Sequence, residues 1–205
     1  QTEGTLFIYL SSFAVYSSYQ KRSLPLYETD ALLPDSAYGK LKAQAEKEIA
    51  PYSPLTLRLA HVYGMQGGLP PQEKKIIDIF TEAAYHQQSL TIYNNGQEQL
   101  DLVHIGDIAR LIAQLIATPP PLPLTWNVGS GRMVSVVHVA TLVQKEYFAL
   151  TKRHIVLHFL PQSFKKEKPP RWISLKKVRA FAPWFPGISL QEGIRHMLEY
   201  TLDQQ

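Results

Sequence analysis

The sequence predicts an α/β layer fold with a mainly parallel main sheet, and three observations point there. Short apolar runs alternate with helical stretches along the whole chain, the pattern of strands and helices stacked in layers. Leu6 to Leu10 is a continuous apolar run ending in Ser11 and Ser12, as in a strand buried on both faces of a parallel sheet. The 205 residues are 45% hydrophobic, enough for a real core and an argument against disorder.

After the first strand, a loop rich in Pro, Ser and Tyr runs to about Pro34. Tyr38, Leu41, Lys42, Ala45 and Ile49 then recur at helical spacing until the Pro51 to Pro54 break. Leu55 to Tyr63 reads as one strand, closed by Gly64 and the turn-like Gly67, Gly68, Pro70, Pro71 cluster. A helix is predicted from Glu73 to about His86, and short strands over Leu90 to Tyr93 and Leu102 to Ile105. Asp107 reads as the cap of a helix with Ile108, Leu111, Ile112, Leu115 and Ile116 on one stripe, stopped by Pro119, Pro120 and Pro121. Strands follow at Trp126 to Val128 and Ile155 to Leu160, with a Ser135-capped helix to about Phe148 between them. Ser189 and Glu192 form a capping box for a last helix carrying Ile194, Met197, Leu198 and Leu202. No internal repeat or low-complexity tract is found.

Composition narrows the function classes. The chain has no Cys, which excludes disulfides and thiolate metal sites and suits a cytoplasmic protein. No apolar run is long enough to span a bilayer, and the N-terminus lacks a signal-peptide layout. The net charge of +4 favours anionic partners, nucleotides among them, and basic residues thicken between Lys152 and Arg179. His154 and His158 lie in a strand-like run, too far apart on one face to clamp a metal, so no metal site is predicted. Trp126, Trp172, Trp184 and the eleven Tyr beside the C-terminal lysines raise nucleic-acid binding. Most of these aromatics read as core or loop residues, and nucleic acid is not the expected partner.

The chemistry-bearing residues are Ser12, Tyr38 and Lys42. Tyr38 and Lys42 are one helical turn apart and share a face. A phenol is a poor base at neutral pH, but a nearby ammonium stabilises the phenolate. Ser12 ends the first strand, at the carboxyl edge where open α/β sheets bind ligands. The three together could exchange a proton with a substrate oxygen while a nicotinamide exchanges a hydride with the attached carbon. Tyr-x-x-x-Lys alone also arises by chance in many helices; its neighbours give it weight.

Tyr9-Leu-Ser-Ser-Phe-Ala-Val-Tyr16, Pro34-Asp-Ser-Ala-Tyr-Gly-Lys-Leu-Lys42 with Glu46, and Leu57-Arg-Leu-Ala-His-Val-Tyr-Gly64 occur in that order. With Tyr93 to Asp107, Trp126 to Gly131 and Ile188 to Gly193, they resemble the landmarks of the extended short-chain dehydrogenase/reductase family of NAD-dependent epimerases and dehydratases, over nearly the whole chain. The resemblance implies a truncated Rossmann-like parallel sheet, holding only its late strands, with a smaller α/β substrate-binding domain. Residues 1–64 would be the C-terminal part of the dinucleotide-binding domain with the catalytic helix. Residues 65–205 would be mainly the substrate-binding domain, with segments near 101–130 returning to the main sheet.

By that likeness Tyr38 is the catalytic acid or base, Lys42 binds the nicotinamide ribose, and Ser12 orients the reacting oxygen. Ala60 would lie near the nicotinamide of NAD or NADP, and His61 would bind substrate or, equally, be a strand-end histidine bonded to a loop. A nucleotide sugar or related carbonyl or alcohol compound is the implied substrate, and a homodimer the implied assembly.

The pattern also breaks. The family's Gly-x-x-Gly-x-x-Gly turn, which cradles the cofactor pyrophosphate, has no counterpart in the sequence. This predicts a fragment, inactive by itself, whose first strand exposes the edge that an earlier strand would cover. The family's phosphate-binding Arg is Leu100 here. Phe164-Lys165-Lys166-Glu167 replaces the later Arg-x-Gly-Asp, and Ser174 replaces the Asp that follows the Trp. Lys165, Lys166, Lys168 or Arg171 could supply other cations, though a solvated loop is the simpler reading. These changes favour a substrate without a pyrophosphate as a rival. The other alternative is a non-catalytic member that binds RNA or protein.

Overall fold

The computed structural model describes residues 5–16, 25–64, 74–122, 124–161, 172–181 and 184–203. The Gly67 to Pro71 cluster, Glu73 and the basic run from Lys165 to Arg171 lie outside the described residues. Strands and helices alternate as β1 (Ile8–Ser12), α1 (Ala37–Ile49), β2 (Leu55–Leu59), β3 (His61–Tyr63), α2 (Ile76–Tyr85), β4 (Leu90–Tyr93), β5 (Gln99–His104), α3 (Ile105–Ala117), β6 (Leu124–Val128), β7 (Met133–Ser135), α4 (Val136–Thr151), β8 (Leu157–Leu160), α5 (Lys176–Phe181) and α6 (Leu190–Asp203).

The first sheet is parallel, ordered β1-β2-β6, with Ser12, Leu59 and Val128 level at its carboxyl edge. β2 is covered on both faces, as continuous apolar sequence predicts: Leu55 and Leu57 join a core with Ile108, Leu111 and Leu115 of α3, while Thr56 and Arg58 are also buried. β1 is a sheet edge, as expected, but its apolar run is not buried on both faces: Leu10 is 43% exposed.

The Leu55 to Tyr63 run is not one strand. The Ala60 N–H donates to Val128 O at 2.8 Å, the last bond to the first sheet. From His61 the chain pairs instead with β5, which also pairs antiparallel with β7. This switch carries the backbone from the first core to a second one, where α2, α4 and α6 pack together and β4 pairs with β8. The Leu102 strand starts earlier, at Gln99, and the Ile155 strand later, at Leu157. His154 therefore precedes its strand, stacked on Phe148 at 4.5 Å.

Caps follow local chemistry with one correction. Ser135 Oγ accepts from His138 N at 3.2 Å, and Ser189 Oγ from Glu192 N at 3.1 Å. Asp107 is not the cap of α3: His104 is, its Nδ1 accepting from Gly106 N at 3.0 Å. Asp107 lies inside the first turn and is fully buried. Its carboxylate receives Gly187 N and Ile188 N and pairs with Arg110 at 2.7 Å, fastening the 187–188 loop to α3.

Candidate active site

α1 positions two of the five predicted site residues. Ser36 caps it, with Oγ accepting from Gly39 N at 3.0 Å. Its buried face is made of small residues, Gly39 and Ala43, not of the Tyr38 and Leu41 stripe that helical spacing suggests. A β-carbon at Gly39 would fall on the carbonyl oxygen of Ala14. Glycine thus lets α1 press against the Phe13–Val15 turn that follows Ser12, and Tyr38 points outward, 55% exposed.

Lys42 reaches back to the first strand, donating from Nζ to Leu10 O at 2.8 Å. The same nitrogen stands 5.0 Å from the Tyr9 ring centre and 5.9 Å from that of Tyr38, within cation–π range. An ammonium has three donors, and Leu10 takes one. Ser12 is buried, with Oγ capping the turn by accepting from Ala14 N at 3.2 Å. Ala60 is buried in the first core. His61 Nδ1 lies 3.3 Å from Asp101 O, and its ring tilts against Phe13 at 4.6 Å. Tyr38 and Lys42 therefore share an accessible surface beside β1, whereas Ser12 and Ala60 sit beneath it.

A buried polar network that spacing did not reveal fixes this helix. Arg58 donates through Nη2 and Nε to Glu46 at 2.7 and 3.1 Å, and through Nη1 to Tyr16 Oη at 2.9 Å and Glu28 O at 3.1 Å. Tyr16 donates to Asn127 Oδ1 at 2.8 Å, and Asn127 donates to Leu26 O at 3.0 Å. Ser11 donates to Glu46 as well. Burial pushes the Tyr16 phenol up to about 12, against the opposing pull of Arg58, so it stays a neutral donor. One signal was available: an Arg in the middle of the apolar Leu55 to Leu59 run demands a buried anion.

Asp101 is the second residue that spacing missed. It is 2% exposed; Oδ1 accepts from Ser130 N at 2.7 Å and Ser130 Oγ at 2.6 Å, while Oδ2 is buried without a partner. Burial raises its carboxyl above the ordinary value, and the bonds from Ser130 and Gly131 oppose that rise only in part. A raised folded value contributes stability that is present below the free value of 3.8 and is lost as pH rises through the folded one. Asp101→Asn imitates the neutral acid. It should therefore gain stability over the wild type as pH rises, by about 1.4 kcal/mol for each pH step of one between the free and folded values. Urea unfolding of both proteins between pH 4 and 8 checks this; a pH-independent difference would contradict it.

Leu100, where the resemblance expects a phosphate-binding Arg, is buried in the second core. Among the described residues no group of three His, Cys, Asp or Glu could hold a metal, and no helix is long and apolar enough to cross a membrane.

The chain is similar to known proteins over nearly its whole length. An uncharacterized UDP-glucose epimerase of Bacillus subtilis (strain 168) is 25% identical over 207 residues, covering 95% of this chain and 60% of that protein. The crystal structure of the UDP-glucose 4-epimerase of Thermotoga maritima with UDP-glucose superposes with a TM-score of 0.81 at 25% identity, over 97% of this chain and 63% of the other. RMD of Pseudomonas aeruginosa, complexed with NADPH, shares the fold with a TM-score of 0.82 at 18% identity, over 98% and 68% of the two chains. The chain spans 60% or less of the length of the curated relatives it matches. A family model matches residues 1–129, well over half of the sequence, and the chain belongs to the NAD dependent epimerase/dehydratase family.

Proposed function

We propose that this chain supplies the catalytic surface of an NAD- or NADP-dependent epimerase, dehydratase or reductase acting on a nucleotide sugar or related carbonyl compound. One observation carries the reading: Lys42, tied to Leu10 O at 2.8 Å, holds a cation beside the half-exposed Tyr38 ring along the strand that leads to Ser12. The residues present fit the ribose and nicotinamide end of such a cofactor, since Lys42 keeps donors beyond the one Leu10 takes. The glycine-rich turn for its pyrophosphate is not in this sequence.

A bound nicotinamide would accept or return a hydride at the substrate carbon. In this reading Tyr38 moves the proton at the attached oxygen, Lys42 holds the ribose and favours the Tyr38 phenolate, and Ser12 orients that oxygen. Because Ser12 Oγ accepts from Ala14 N, its hydroxyl proton remains available to the substrate. Ala60 and His61 line the floor beneath, next to the nicotinamide and substrate respectively. Residues 1–64 would then serve the cofactor, and most of 65–205 the substrate, with 101–130 returning to the main sheet. The exposed Leu41 of α1 supports a homodimer through this helix, and the lack of Cys suits the cytoplasm.

Titration of NADH and NADPH fluorescence against this chain and against a version extended upstream through a glycine-rich turn tests the reading. Lys42→Met should weaken binding by about tenfold or more, the loss of one charge-assisted hydrogen bond. Unchanged affinity in Lys42→Met would remove Lys42 from the cofactor. Binding by the extended version alone is what the missing turn predicts, whereas no binding of either nucleotide by either version would end the catalytic reading and leave the RNA- or protein-binding one.

A further inference from the structure

On the second core's side, a cleft of about 430 Å³ lies between β5, the start of α4, α5 and the 185–190 loop. None of its lining residues belongs to β1 or α1, so it is separate from Tyr38 and Lys42. Its floor is apolar, with Leu102, Val134 and Leu190, and Arg132, Arg179 and His138 stand around its mouth. Among the described residues no carboxylate lines it. The carboxylate under the 187–188 loop, Asp107, is fully buried and already paired with Arg110. Neither Arg132 nor Arg179 has a carboxylate partner among the described residues; Arg179 lies over the Phe185 ring at 4.8 Å. His104 lines the cleft too, but its Nδ1 accepts from Gly106 N and its imidazole is held below the usual value, first by burial. It contributes a polar edge and no cation.

Two guanidiniums lining one cleft, with no counter-charge among the described residues, favour an anion between them, and guanidinium geometry matches phosphate oxygens in pairs. The apolar floor adds room for the organic part of a metabolite-sized ligand. We propose that this cleft binds a small phosphorylated organic molecule, its phosphate held by Arg132 and Arg179 beside His138 and its apolar part seated on Leu102, Val134 and Leu190. Ser130, also in the lining, hydrogen-bonds Asp101, whose carbonyl lies 3.3 Å from His61 Nδ1. A ligand there touches Ser130, which is one hydrogen bond from the β5 residue that His61 contacts.

The test is calorimetric titration of the protein with phenyl phosphate, with inorganic phosphate, and with chloride at matched ionic strength. The expected result is saturable binding of phenyl phosphate, tighter than that of inorganic phosphate and absent for chloride. Affinity should fall by about tenfold or more in the Arg132→Ala/Arg179→Ala double variant, the loss of at least one charge-assisted hydrogen bond. The equally charged control Lys145→Ala/Lys152→Ala, with Lys145 on α4 and Lys152 at its C-terminal cap, neither lining the cleft, should bind as the wild type does. His138→Asp gives a second arm: it places an anion in the mouth, where the first turn of α4 tolerates acidic residues, and should abolish binding with the helix intact. Wild-type binding no greater than that of chloride, equal binding by the double variant, or unaltered binding by His138→Asp would each overturn the site. Because the probes contain no nicotinamide or sugar, the result is independent of the catalytic reading.

Discussion

In a version extended upstream through a glycine-rich cofactor turn, Tyr38→Phe is expected to lower turnover of a nucleotide sugar by about 10²- to 10⁴-fold, the usual contribution of a positioned general acid or base. The substitution is clean because the ring is half exposed and makes its structural contact through its face, 5.9 Å from Lys42 Nζ. Removing the hydroxyl strands no buried polar group, so stability should change by less than about 0.5 kcal/mol. Steady-state assays with UDP-glucose, paired with thermal unfolding, separate the two effects. Retained turnover in the folded variant would sink the assignment of Tyr38 as the proton-transferring group. A variant that loses turnover and stability together would point to a structural role instead.

Arg58→Met should cost about 3–5 kcal/mol of folding stability, as expected when one member of a buried ion pair is removed and the other stays uncompensated. The pair is well buried, with side-chain exposures of 7% for Arg58 and 9% for Glu46. Arg58 also holds the Tyr16 hydroxyl, and through it Asn127 on β6. The double variant Arg58→Met/Glu46→Leu should recover much of the loss, because an apolar pair of similar size removes the stranded charge. Urea denaturation of the two single variants and the double variant measures the coupling. A cost below about 1 kcal/mol for Arg58→Met would mean that Glu46 is effectively solvated. Since Glu46 and Tyr38 lie on the same helix, the Arg58 variant should also disturb Lys42 and the proposed cofactor surface, and nicotinamide binding is the readout for that.

Much of this was legible from residues alone. The alternation of apolar runs and helical stretches gave the α/β class, and local caps such as Ser135 and Ser189 marked helix starts where the structure has them. The one-turn spacing of Tyr38 and Lys42 put them on one face of α1, because helical geometry is a local property.

What only the tertiary structure decided involves partners far away in sequence. Tyr16 meets Asn127 across 111 positions and Arg58 meets Glu46 across 12, contacts that no periodicity encodes. The break at Ala60 belongs to this class: nothing in Leu55 to Tyr63 signals it, because it arises when Val128 takes the Ala60 N–H and β5 takes His61. Asp107 has the residue type of a helix cap, yet it is claimed by the distant 187–188 loop, leaving the cap to His104. Sequence thus determined most of the elements, though not β7, α5 or the break between β2 and β3, and which residues could do chemistry, since propensity, capping and spacing act within a few residues. Packing decided which of those residues reach the surface: Gly39 and Ala43, having little side chain, let α1 approach the Phe13–Val15 turn and so leave Tyr38 turned outward.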